Sequence, residues 1–160
     1  MAPQSGFRPI GSMPMSQGTR SHQLAMYTVF EAPLQMLADN PTAYRKEQES
    51  TDFISGIPTT FDSTIALDGK VGEFVAIARK KNDIWYAGVL NNWSARDVSL
   101  SLSFLGKGEY DAEIFSDGVN ADRDATDYVK EIKRVNGSGK LVVHLSNGGG
   151  WAARFKPVNR

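Results

Sequence analysis

The sequence predicts a mainly β chain: an antiparallel β-sandwich preceded by helices. Three observations predict it. The apolar period changes from helical to two near Gly69. Beyond that point, Asn- and Gly-rich clusters recur between short apolar runs, and both residues tolerate the positive φ of tight turns. Before it, Thr19 to Asn40 carries apolar residues around most of a helical circumference, the mark of a helix buried on most sides.

Thr19 to Asn40 reads as one helix. Thr19 or Ser21 can cap it, since a hydroxyl accepts an unpaired first-turn amide. Its body holds Leu24, Ala25, Met26, Tyr27, Val29, Phe30, Leu34, Met36 and Leu37. Pro33 marks a kink or break, because proline lacks an amide hydrogen and clashes with the preceding turn. Asn40-Pro41 ends the helix, since the residue before proline disfavours helical backbone. A more polar helix follows from Thr42 to about Glu49, then a short turn over Thr51 to Ser55. The long helix asks for an apolar wall that a single sandwich has little reason to supply. The expectation is a partner outside this chain. A helix covered by the chain's own sheets would remove that argument.

Seven strands are predicted: Glu73 to Arg79, Ile84 to Leu90, Val98 to Phe104, Tyr110 to Phe115, Tyr128 to Val135, Leu141 to Leu145 and Trp151 to Phe155. The clearest is Val98-Ser-Leu-Ser-Leu-Ser-Phe104, apolar on one face and serine on the other. Trp85, Phe104, Ile114, Leu145 and Trp151 are the expected core. Trp85 and Tyr86 are neighbours, so only one is expected inside.

The chain has 160 residues, with 18 Lys+Arg against 18 Asp+Glu. It lacks the basic excess of a nucleic-acid binder. No apolar run is long enough for a membrane span, and the N-terminus lacks a signal-peptide pattern. There is no cysteine, which removes disulfides and thiolate chemistry. A (β/α)8 barrel, at about 250 residues, does not fit.

Pro14-Met-Ser-Gln-Gly-Thr-Arg-Ser-His-Gln-Leu-Ala-Met-Tyr27, followed by Phe30-Glu-Ala-Pro-Leu-Gln-Met-Leu37, resembles the end of the catalytic barrel of glycoside hydrolase family 97. Gly69 to Arg79, Trp85-Tyr86, Ala112 to Asp122, Asp127-Tyr128 and Gly148 to Ala153 resemble that family's C-terminal β-domain. The resemblance implies a C-terminal fragment of a bacterial α-glucosidase or α-galactosidase, retaining or inverting, which hydrolyses terminal α-linked glucose or galactose. Residues 1–60 would be the end of the barrel, its last loop and helices; residues 61–160 would be the C-terminal sandwich. The α-glycoside substrate, the missing barrel and N-terminal domains, a periplasmic location and calcium belong, by that implication, to the full-length enzyme. Self-association through the apolar helix is a further expected contact.

The family's catalytic carboxylates and calcium ligands lie on barrel strands outside this chain, so no catalytic residue is assigned and no metal is expected here. Barrel active sites lie on loops at the carboxyl ends of the strands. The loop Met13 to Arg20 is therefore the one piece that can approach substrate. Ser16, Gln17, Thr19, Arg20 and His22 are its candidate sugar contacts, with capping and structural pairing as the bland alternative. Glu31 reads as a structural or exposed carboxylate. Asn120, Asp122, Asp124 and Glu131 match a calcium-loop spacing, but Ala125 stands where the turn glycine belongs. An Asx-turn loop explains them better. Trp93, in a turn, is the candidate for stacking a glycan, against the alternative of interdomain packing. Gly148-Gly-Gly150 reads as a hairpin turn. Two other readings stay open: a free-standing carbohydrate-binding sandwich, and a purely structural interaction module.

Overall fold

The computed structural model describes residues 1–11, 15–37 and 39–158. Three helices come first: α1 (Arg20–Val29), α2 (Pro41–Lys46) and α3 (Gln48–Ser55). The strands are β1 (Ser63–Lys70), β2 (Phe74–Lys81), β3 (Ile84–Asn91), β4 (Arg96–Ser101), β5 (Glu109–Asp117), β6 (Tyr128–Asn136), β7 (Lys140–Leu145) and β8 (Gly150–Pro157). Six of them form one antiparallel sheet in the order β1-β2-β3-β8-β5-β6, and β4 pairs with β7 in a second. All seven expected strands are present. The one not anticipated, β1, is exposed along its length apart from Leu67. A strand without a buried face has no alternation to read.

The six-stranded sheet is apolar on both faces. On one, β4 and β7 close a core of Ala76, Trp85, Val89, Leu100, Ile114, Leu145, Trp151 and Phe155. Phe104 is half-buried there, edge-on to Trp85 and Phe155. On the other face, Tyr86, Leu90, Phe115 and Ala152 meet Leu24, Ala25 and Val29 of α1 and Phe53 of α3. Trp85 and Tyr86 are therefore both buried, one in each core. The expectation that one must be wet assumed a single covered face.

The long helix is also corrected. It stops at Val29, with Phe30 as its C-cap. A continued helix would drive the Pro33 ring into the Val29 carbonyl, four residues back. That carbonyl instead accepts a hydrogen bond from Arg79 at 3.1 Å. Asn40-Pro41 starts a helix rather than ending one. The Asn40 side chain accepts from the Ala43 amide at 3.0 Å, and Pro41 takes the first helical position. The turn expected over Thr51 to Ser55 is part of α3. Ala38, inside the expected long helix, lies outside the described residues.

The chain's own sheet covers α1. Gly88 on β3 and Gly150 on β8 leave the groove in which it lies. A Cβ at Gly88 would sit 2.9 Å from the Ala25 carbonyl, and one at Gly150 would collide with the backbone of Ser21 and His22. The argument from an uncovered helix is thereby lost. What stays exposed is the segment after it, with Leu34 at 78% and Met36 at 77%.

Candidate functional site

The loop before α1 and the turn after β7 meet at one buried carboxylate. β5 ends on Asp117, and its Oδ1 accepts a hydrogen bond from the Thr19 hydroxyl at 2.6 Å. Its Oδ2 accepts from the backbone amides of Ser146 at 2.9 Å and Gly150 at 3.1 Å. The Thr19 hydroxyl in turn caps α1 by accepting from the His22 amide at 3.1 Å. The Thr19 amide donates to the Gly148 carbonyl at 3.0 Å. His22 Nδ1 lies 2.9 Å from the Gly149 carbonyl, which makes Nδ1 the protonated nitrogen. One aspartate thus joins the start of α1, the end of β5 and the β7–β8 connection.

Burial pushes the Asp117 carboxyl above its ordinary value, against the pull of its three donors and of His22. Burial holds His22 below its ordinary 6.5, while the Gly149 hydrogen bond and the Asp117 charge act the other way. The arrangement fits a structural clasp: every named atom of the carboxylate has a donor, so buried polar groups stay satisfied.

The expected loop residues divide. Thr19 and His22 enter the clasp. Arg20 is buried; its guanidinium pairs with Glu47 at 3.2 Å, 6.0 Å from the Tyr128 ring centroid. Ser16 and Gln17 are exposed, and their carbonyls accept from the Ala2 amide and the Gln23 side chain. Met13 and Pro14 lie outside the described residues. Glu31 is exposed in the loop after α1.

The acidic loop does not gather its oxygens. Asp124 accepts from the amide and hydroxyl of Thr126 at 2.9 and 2.6 Å, an Asx turn. Asp127 accepts from the Asn120 amide at 2.8 Å. Asp122 faces Arg123, and Glu131 stands on β6 with its carboxylate 3.8 Å from Lys133. Among the described residues no three His, Asp or Glu side chains are placed to share a metal ion. A resident calcium does not fit these residues.

Trp93 is half-buried, and its ring lies against Gly148 with no room for a side chain there. Gly148 to Gly150 is not a hairpin turn. It carries the chain from β7 in the small sheet to β8 in the large one, and Gly148 takes φ 62.

Sequence reasoning missed Asp117. Its partner Thr19 is 98 residues away, and an Asp-Gly pair after a strand reads as an ordinary turn.

The two sheets, the helix on the outer face and the clasp define the class: an all-β module whose N-terminal helix is fastened into it. Residues 60–156 match the family model described as "Glycosyl-hydrolase 97 C-terminal, oligomerisation". The chain belongs to glycoside hydrolase family 97. It is 51% identical over 155 residues to the retaining alpha-galactosidase of Bacteroides thetaiotaomicron, covering 97% of this chain and 23% of that protein. It is 28% identical over 131 residues to a probable retaining alpha-galactosidase of Streptomyces bingchenggensis, covering 82% of this chain and 20% of that one. A family 97 enzyme from Pseudoalteromonas sp. strain K8, solved with acarbose, superposes with a TM-score of 0.86 at 38% identity. That match covers 89% of this chain and 23% of the enzyme. The chain thus spans less than a quarter of the length of these relatives.

Proposed function

We propose that this chain is the C-terminal part of a retaining α-galactosidase and that its β-domain braces the end of the catalytic barrel. The bracing reading is carried by the Asp117 clasp, which fastens the start of α1 to the sandwich. The galactoside reading rests on the 51% identical relative. Residues 1–60 supply the last barrel loop and helices, and residues 61–160 the sandwich. Ser16, Gln17, Thr19, Arg20 and His22 then sit at the edge of the barrel mouth. Of these, Ser16 and Gln17 are the exposed pair able to reach a sugar. The acid and base carboxylates, and calcium where the enzyme uses it, come from barrel strands outside this chain. Glycoside hydrolysis needs two carboxylates flanking the bond, and the clasp spends its one buried aspartate on structure. The proposed location is the periplasm. Among the described residues no helix is long and apolar enough to cross a membrane. Self-association, named in the family model's description, is part of the proposal. The face of α1 first expected to mediate it is covered by the sheet.

The test uses p-nitrophenyl α-galactoside and α-glucoside. The 160-residue chain is expected to turn over neither. The same chain joined to an upstream barrel is expected to cleave the galactoside faster. Turnover by the chain alone overturns the bracing role. Preference for the glucoside overturns the sugar assignment.

A further inference from the structure

The six-stranded sheet has two open edges, and they are built differently. β6 carries Lys130, Glu131, Lys133 and Arg134 within its nine residues. Lys130 reaches Glu113, and Arg134 reaches Asp111 and Glu109. Charges on an edge strand guard it against pairing with another chain. β1 has no such guard over Ser63-Thr-Ile-Ala-Leu67, five uncharged residues. β1 pairs only with β2, so one side of its backbone offers free amides and carbonyls. It is also exposed on both faces, with Ile65 at 39%. An isolated edge of this length and polarity is a template for an incoming strand.

The occupant the page supports is a second copy of this chain. The family model's description names oligomerisation, and a two-fold pair of identical strands is necessarily antiparallel, the geometry of every pair already in this sheet. Side-chain positions choose the register. Centred on Ile65, Asp68 would face Asp62 of the other copy, and like charges directly opposite are unfavourable. Centred on Ala66, Ile65 faces Leu67, Asp68 faces Thr64, and Lys70 faces Asp62. Ile65 shares a sheet face with Ala78, the face of the sandwich core. The second copy's Leu67 would therefore extend that core across the join.

We propose that β1 is a homotypic docking edge: two copies pair antiparallel about Ala66 and join their six-stranded sheets into one. This rests on the self-association part of the proposed function and is independent of any catalytic claim.

The chain has no cysteine, so a single introduced thiol reports the register directly. Opposed residues in an antiparallel pair have Cα atoms about 4.5–5.5 Å apart, within the range a disulfide spans. Ala66→Cys is expected to give a covalent dimer on mild oxidation. Ile132→Cys, on the charged edge, is expected to stay monomeric under the same conditions. In sedimentation velocity the unmodified chain is expected to dimerise. Ile65→Lys is expected to weaken the dimer on the order of tenfold or more, since like charges would then crowd the join. Circular dichroism of each variant checks that it is folded; if Ile65→Lys is not, the Ala66→Cys cross-link decides. A strictly monomeric chain overturns self-association altogether. A dimer that ignores Ile65→Lys but is lost in Ile132→Lys or Leu34→Glu overturns β1 as its edge, while leaving self-association intact. Covalent dimer from Ile132→Cys and none from Ala66→Cys does the same.

Discussion

The two faces of the six-stranded sheet are covered in different ways. One is closed by β4 and β7, strands that alternate buried and exposed. The other is closed by α1 and α3, held by a groove and a clasp. The strands between them do not alternate: β3 is buried from Trp85 to Asn91, and β8 from Gly150 to Ala153. A strand buried on both faces reads as a continuous apolar run. The difference teaches that the alternating strands are the cover, and the unbroken ones the wall between two cores. The sandwich face is built from contacts of many residues. The helix face depends on a few close approaches.

That contrast can be broken from either side. The largest effect is expected at Gly150→Val. A side chain there meets the backbone of Ser21 and His22, which cannot yield as a side chain can. α1 should leave the sheet while the sandwich persists. Hydrogen exchange is expected to show fast amides over residues 20–29 with β3 and β8 protected; protection of α1 in this variant would refute the groove. Next is the sandwich core: Phe155→Ala, fully buried, is expected to cost about 3–5 kcal/mol, the usual range for Phe to Ala in a core. Urea melts followed at both layers should shift together, since both rest on β8. Third is the clasp. Asp117→Ala strands the Thr19 hydroxyl and two buried amides and is expected to cost about 2–3 kcal/mol, as buried unpaired donors do. Chemical denaturation measures it, and Asp117→Asn should recover part of the loss, because its amide oxygen still accepts.

The smallest effect is in pH. The His22 value lies below 6.5 because burial disfavours the charged ring. Its share of stability is present above pH 6.5 and lost as pH falls through the lowered value. The raised Asp117 value has the opposite sign. Its share is present below the ordinary carboxylate value and lost as pH rises through the raised one. His22→Gln is expected to flatten the acid side of a melting-temperature profile without changing its neutral plateau. An unchanged acid limb would remove His22 from the clasp's pH response.

Much of the fold was legible because its signals are local. Ser99 and Ser101 between Val98 and Leu100 reveal one wet face at once. Asn82, at φ 52, turns β2 into β3 as its residue type suggests. The ends of α1 were half legible. Thr19 is the cap, but Pro33 stops the helix four residues earlier than a kink would. β1 was invisible because it buries no face. The candidate site was the least legible, because Asp117 looks like any aspartate before a glycine.

The sequence by itself determined the all-β class, the turns and the family, since these live in short-range pattern and in the order of motifs. Only the tertiary structure decided what covers α1, that Trp85 and Tyr86 serve two cores, and that Asp117 fastens Thr19 to the β7–β8 connection. The physical reason is distance along the chain. A carboxylate recruits whatever donors the fold brings within hydrogen-bond reach, and a sheet face accepts whatever apolar surface arrives. Neither choice is written near the residues that make it.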